Sequence, residues 1–134
     1  MVVGIAHVCF TSKNLDASIA FYCDVLGLKQ SFEFINDEGK RFGVYIAAGG
    51  RSFIELFEGQ YQEAPDVNSY RHICLEVEDL PGLVSRLRAQ GVEVTDPFLA
   101  MDQTWQAWLS DPDGNRIELH AYTSKSWQVP FLNE

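Results

Sequence analysis

His7-Val8-Cys9-Phe10 returns as His72-Ile73-Cys74-Leu75, and this echo decides how the chain is read. The histidines and the cysteines recur at an offset of 65 residues, 7 to 72 and 9 to 74, and Leu15 and Leu80 keep the same spacing. A second echo sets Ile54-Glu55-Leu56 against Ile117-Glu118-Leu119 at an offset of 63, a slippage that one loop absorbs. A repeat of this length marks a supersecondary unit written twice.

The elements repeat as well. Val3 to Phe10 is rich in β-branched and aromatic residues and predicts a strand. Asn14 suits a helix N-cap; Leu15, Ile19, Tyr22, Cys23 and Leu26 follow at helical spacing, and Gly27 ends the helix. Strands are predicted over Gln30 to Ile35, Phe42 to Ala47 and Ser52 to Phe57, with turns at residues 36–39 and 49–50. The second half opens with a strand over Arg71 to Val77. Asp79 caps a helix with Pro81 in its first turn and Leu80, Leu83, Val84 and Leu87 on one face, and Gly91 ends it. Strands over Glu93 to Phe98, Trp105 to Ser110 and Arg116 to Tyr122 complete the pattern, the last two separated by Asp111-Pro112-Asp113-Gly114-Asn115.

Each half therefore reads β-α-β-β-β. One such unit has too little core to stand alone, so two are expected to pair. The expectation is a single α+β domain over residues 1–134: module one 1–58, linker 59–69, module two 70–122 and a tail 123–134, the modules forming a curved mixed sheet around a metal site. Trp127 and Phe131 suggest that the tail docks on something.

Bulk properties exclude several classes. The chain has 134 residues, 46% hydrophobic and 22% charged, the balance of an ordinary folded domain. A formal net charge of −9 argues against nucleic acid and anionic membrane surfaces as partners. No apolar run approaches the ~20 residues of a membrane span. The N-terminal stretch lacks the features of a signal peptide. Cys9, Cys23 and Cys74, odd in number and sparse, fit free thiols in a reducing, cytoplasmic setting.

Strand parity places the echoed residues together. Ile5, His7 and Cys9 share a face, as do Phe53, Glu55 and Phe57; later come His72, Cys74 and Glu76, then Arg116, Glu118 and His120. A mid-strand acid among hydrophobic neighbours is costly to bury unpaired. Two such carboxylates repel unless a cation lies between them. One His and one Glu per half, brought together by a pseudo-twofold, make a mixed N/O site that suits Ni²⁺, Zn²⁺, Co²⁺, Fe²⁺ or Mn²⁺. Taken singly, each residue has a plainer reading: a strand histidine is more often structural, and Glu55 alone fits an exposed edge. Cys9 and Cys74 read as small buried fillers rather than nucleophiles or soft metal ligands. Trp105, Trp108, Phe57, Tyr45, Phe98 and Gln106 are candidates to edge a pocket, and Arg41, Arg51 and Arg116 to bind an anion. His120 reads either as a partner of a ligand carboxylate or as a strand end.

The β-α-β-β-β repeat, Ser18-Ile19-Ala20-Phe21-Tyr22 followed by Val25-Leu26-Gly27, and Asp111-Pro112-Asp113-Gly114-Asn115 before Ile117-Glu118 resemble the vicinal oxygen chelate superfamily. That group includes glyoxalase I, extradiol dioxygenases and fosfomycin- and bleomycin-resistance proteins. The resemblance implies a ligand on the first and last strand of each module: His7, Glu55, His72 and Glu118, a set similar to glyoxalase I. It further implies a divalent cofactor, a small vicinal-oxygen substrate, a homodimer, and lyase or isomerase chemistry by metal-assisted proton transfer. Glu118 is then the favoured base and Glu55 the other candidate. The pattern breaks at two places: Thr11 and Gly59 stand where glyoxalase I carries an arginine and an asparagine for glutathione. The alternatives are an oxygenase or thiol transferase on the same scaffold, or a non-catalytic protein that sequesters a small molecule such as an antibiotic.

Overall fold

The computed structural model describes Met1 and residues 4–62 and 70–132. The chain divides into two units: Met1–Ser69 together with Asp111–Asp113, and Tyr70–Ser110 together with Gly114–Glu134. Both run β-α-β-β-β, and the fold is α+β with two four-stranded mixed sheets.

The first unit contains β1 (His7–Ser12), α1 (Leu15–Ile19), which continues as a π-helical turn over Ala20–Val25, β2 (Lys29–Ile35), β3 (Arg41–Ala47) and β4 (Phe53–Glu58). Its sheet order is β1-β4-β3-β2, with β1 parallel to β4 and the other pairs antiparallel. The Asn14 side chain accepts from the Ala17 N–H at 3.0 Å, capping α1, and Gly27 (φ 75°) supplies the left-handed residue beyond the helical segment. Leu15, Phe21 and Tyr22 from the helical face bury against Val44, Ile46, Ile54 and Leu56 from the sheet. On the other face, Phe57 lies over Gly43, where an added Cβ would sit 2.5 Å from Phe57 Cδ1.

The turn that includes Asp111–Asp113 belongs to this unit for a polar reason. Tyr22 donates its buried hydroxyl to Asp111 Oδ2 at 2.7 Å. Asp113 Oδ1 accepts from the Lys13 N–H at 3.0 Å and from the Tyr61 hydroxyl at 2.8 Å, and Oδ2 accepts from the Ser18 hydroxyl at 3.1 Å. Ser18 and Ser12 share a buried hydroxyl–hydroxyl bond of 2.6 Å. Burial works to raise the Asp113 pKa, but these donors together hold it below the usual carboxylate range.

The second unit contains β5 (Ile73–Glu76), α2 (Leu80–Ala89), β6 (Phe98–Leu99), β7 (Trp105–Ser110) and β8 (Arg116–Ala121), in the order β5-β8-β7-β6. Asp79 accepts from the Gly82 N–H at 3.1 Å, the expected cap. Leu80, Val84 and Leu87 bury on Ala107, Leu109, Ile117 and Leu119, whereas Leu83 is only half-buried.

Several expected boundaries move. The first strand starts at His7, not Val3: Ile5 lies outside the sheet and is exposed, and Val3 is outside the described residues. The strand expected over Arg71 to Val77 shrinks to Ile73–Glu76, so His72 sits just before it. The strand expected over Glu93 to Phe98 is reduced to Phe98–Leu99, because in residues 92–97 the β7 side is met by single bonds such as Thr95 N–H to Trp108 O at 3.0 Å rather than by a ladder. The tail is tied by polar bonds instead of its rings. Trp127 N–H donates to Asp102 O at 3.0 Å and the Ser126 hydroxyl to Gln103 O at 2.9 Å, while the Trp127 and Phe131 side chains stay exposed.

Candidate metal centre

In the first unit the parallel β1–β4 register sets Cys9 directly opposite Glu55 and His7 opposite Phe53. Ile54 and Leu56 point into the core, so period-two alternation turns Glu55 to the other face with His7 and Cys9. His7 Nε2 lies 3.8 Å from Glu55 Oε1. On the neighbouring strand Tyr45 pairs with Glu55, and its hydroxyl lies 3.0 Å from His7 Nδ1.

The second unit repeats this register. Cys74 is opposite Glu118 across β5 and β8, and Trp108 pairs with Glu118 as Tyr45 does with Glu55. His72 Nε2 lies 3.2 Å from Glu118 Oε2. Trp108 meets the His72 ring edge-on with centroids 4.8 Å apart, and the Arg116 guanidinium covers Trp108 at 4.5 Å. Glu118 is buried, and its second oxygen Oε1 faces His120 Nδ1 at 3.4 Å. His120 thus takes the carboxylate-partner reading. Its other nitrogen, Nε2, is buried with no hydrogen-bond partner among the described residues.

The four sequence candidates therefore assemble as two His–Glu pairs, His7 with Glu55 and His72 with Glu118. Other expectations change. Cys9 and Cys74 are exposed, not buried fillers, because their strands turn them to the open face. Partial burial and then Glu55 push the Cys9 thiol up. Partial burial, then Glu118, Asp102 and Glu76, push the Cys74 thiol up to about 12. Arg41 is no free anion site: it pairs with Asp16 and, at 3.4 Å, with Glu33. Arg116 is engaged over Trp108. The sequence named Tyr45 only as a pocket candidate; its role behind His7 depends on strand register, which no local pattern announces.

The donor chemistry fits a divalent ion. Imidazole nitrogens and carboxylate oxygens form the mixed N/O set preferred by first-row transition metals. Tyr45 on Nδ1 leaves Nε2 of His7 free to ligate, the arrangement that fixes tautomer and ring orientation at metal-bound histidines.

Residues 4–119 match the Glyoxalase/Bleomycin resistance protein/Dioxygenase superfamily. The chain belongs to this superfamily. A lactoylglutathione lyase of Salmonella typhimurium is 33% identical over 119 residues, 84% of this chain and 88% of that one. Among solved structures, a glyoxalase family protein from Enterococcus faecalis superposes with a TM-score of 0.74 at 25% identity, covering 87% of this chain and 96% of that one. TnmS3, an antibiotic binding protein from Streptomyces sp. CB03234, shares the fold with a TM-score of 0.73 at 23% identity, covering 91% and 98%. The chain thus resembles a lactoylglutathione lyase in sequence and shares its fold with an antibiotic binding protein. Among the described residues, no helix is long and apolar enough to cross a membrane.

Proposed function

We propose that the protein is a divalent-metal-dependent lyase or isomerase that moves a proton on a small vicinal-oxygen substrate, with His7, Glu55, His72 and Glu118 as metal ligands. The observation that carries this reading is the repeated register: each unit sets a histidine Nε2 against a glutamate carboxylate, 3.8 Å apart in one and 3.2 Å in the other. When bound, such an ion polarises a substrate carbonyl and acidifies the adjacent carbon.

The chain's own residues do the rest. Glu118 is the proposed base, with Glu55 the alternative. Burial of Glu118 among His72, His120 and Trp108 keeps water away from its carboxylate. Tyr45 holds His7. Three free thiols suit a reducing, cytoplasmic compartment, and the superfamily resemblance supports a homodimer.

Glutathione is not the proposed co-substrate. Thr11 and Gly59, the two positions that depart from the glyoxalase I pattern, are neighbours: a Cβ on Gly59 would lie 3.2 Å from the Thr11 methyl. A threonine methyl against a glycine offers no charge to a glutathione carboxylate.

Elemental analysis of the purified protein beside Glu55→Ala tests the reading. Retention of about one divalent ion per chain, weakened in the variant, is expected. Proton exchange at the substrate's carbon acid in Glu118→Gln and Glu55→Gln tests the base; full exchange in both variants removes the mechanism.

One observation favours a second reading, capture of a planar ligand without turnover. Phe32, Tyr45 and Phe53 form a stacked row, with centroids 4.7 and 4.8 Å apart, beside His7. Tight binding of aromatic ligands by protein that retains no metal would favour it.

A further inference from the structure

The two units are alike in register but not in chemistry. In the first, the residue two beyond Glu55 on the same face is Phe57. In the second, the residue two beyond Glu118 is His120. This single difference changes what the face holds. Cys9 and Glu55 have a phenyl ring beside them, whereas Cys74 and Glu118 have an imidazole. Ligand atoms of Cys74, Glu118 and His120 all lie within 4.8 Å of one another.

We propose that the second unit carries a soft-metal site of its own, formed by Cys74 Sγ, a Glu118 carboxylate oxygen and a His120 ring nitrogen, which takes thiophilic dications such as Cd²⁺ or Zn²⁺. It overlaps the four-ligand centre proposed above at Glu118 alone and competes with it for that carboxylate.

Three further observations support the site. Tetrahedral Zn²⁺ with ligand distances of about 2.0–2.3 Å places its donors about 3.3–3.8 Å apart, which side-chain rotations reach from separations that are all within 4.8 Å. His120 is buried, its Nε2 has no hydrogen-bond partner among the described residues, and its ring meets Tyr122 edge-on at 4.6 Å, so turning the ring gives up only the 3.4 Å contact with Glu118 and part of that packing. Glu76 and Asp102 add negative charge around Cys74, a field that draws in a dication. Binding forms one metal–sulfur bond and releases the Cys74 thiol proton to solvent; His120 binds as neutral imidazole. No oxidant or reductant is required. Because Glu118 cannot serve both centres fully, a thiophilic ion held here pulls that carboxylate from His72.

Cd²⁺ titration of metal-free protein, read by thiolate-to-cadmium absorption in the near ultraviolet, tests the site. The expected result is a band that saturates at one equivalent in the wild type, persists in Cys9→Ser, Cys23→Ser and a His7→Ala/His72→Ala double variant, and disappears in Cys74→Ser. His120→Phe, which copies the first unit, is expected to weaken Cd²⁺ by about tenfold or more, with His120→Asn as a milder replacement. A band that survives Cys74→Ser, is lost in Cys9→Ser, or is unchanged in both His120 variants overturns the proposal. Retention in the His7/His72 double variant separates this outcome from the fate of the four-ligand centre.

Discussion

The Tyr45 hydroxyl lies 3.0 Å from Nδ1 of His7, so the imidazole is held from behind and Nε2 is the nitrogen that faces Glu55. Tyr45→Phe removes the hydroxyl and leaves the ring in its stack with Phe32 and Phe53. Metal affinity is expected to fall by about 10–100-fold with little change in unfolding midpoint. Competition with a chromophoric chelator measures it; an unchanged affinity would show that Tyr45 does not orient a ligand.

Gly43 lies beneath Phe57. In Gly43→Ala the new Cβ meets Phe57 Cδ1 at 2.5 Å and the Leu56 carbonyl oxygen at 2.9 Å. The ring can swing but the backbone oxygen cannot. A loss of about 1–3 kcal/mol is expected in urea unfolding, with partial recovery when Phe57→Leu is added. Full recovery would mean that the backbone contact costs nothing.

The Tyr22–Asp111 hydrogen bond is buried, at 2.7 Å. Tyr22→Phe keeps the ring packed against Phe21 and removes one donor to the carboxylate. Bonds to charged groups contribute about 1.5–3 kcal/mol, so chemical denaturation should show a loss in that range. A neutral result would mean that water replaces the hydroxyl.

Asp113 sets a pH dependence. Its carboxyl stands below the ordinary 3.8 in the folded protein, because donors from Lys13, Tyr61 and Ser18 outweigh burial. The stabilisation is therefore present above the unfolded value and is lost as pH falls through the lower folded value. Thermal midpoints of the wild type should drop on acidification from pH ~5 downward. In Asp113→Asn the midpoint should start lower at neutral pH and fall less steeply over that window. Parallel curves for the two proteins would remove Asp113 as the cause.

Much of the fold was written in local signals. Asn14 and Asp79 announced both helix starts, and both side chains accept the expected backbone N–H. The echoes at His7 and His72, and at Glu55 and Glu118, located the two His–Glu pairs, because period-two alternation converts sequence spacing into a shared face. Local reading failed where non-local contacts set the outcome. Nothing in Gly4 to Ala6 or Glu93 to Asp96 shows that single bonds, not a strand ladder, meet the backbone there. Nothing in Arg41 shows that Asp16 and Glu33 occupy it.

The sequence by itself determined the repeat, the α+β class and the residue types at the site, since these follow from periodicity and composition. Only the tertiary structure decided register. Hydrogen-bond ladders between strands distant in sequence place Cys74 opposite Glu118, Tyr45 opposite Glu55 and Phe57 over Gly43. Which side chains meet across a sheet depends on the alignment of strands, and a slip of one residue sends each side chain to the other face.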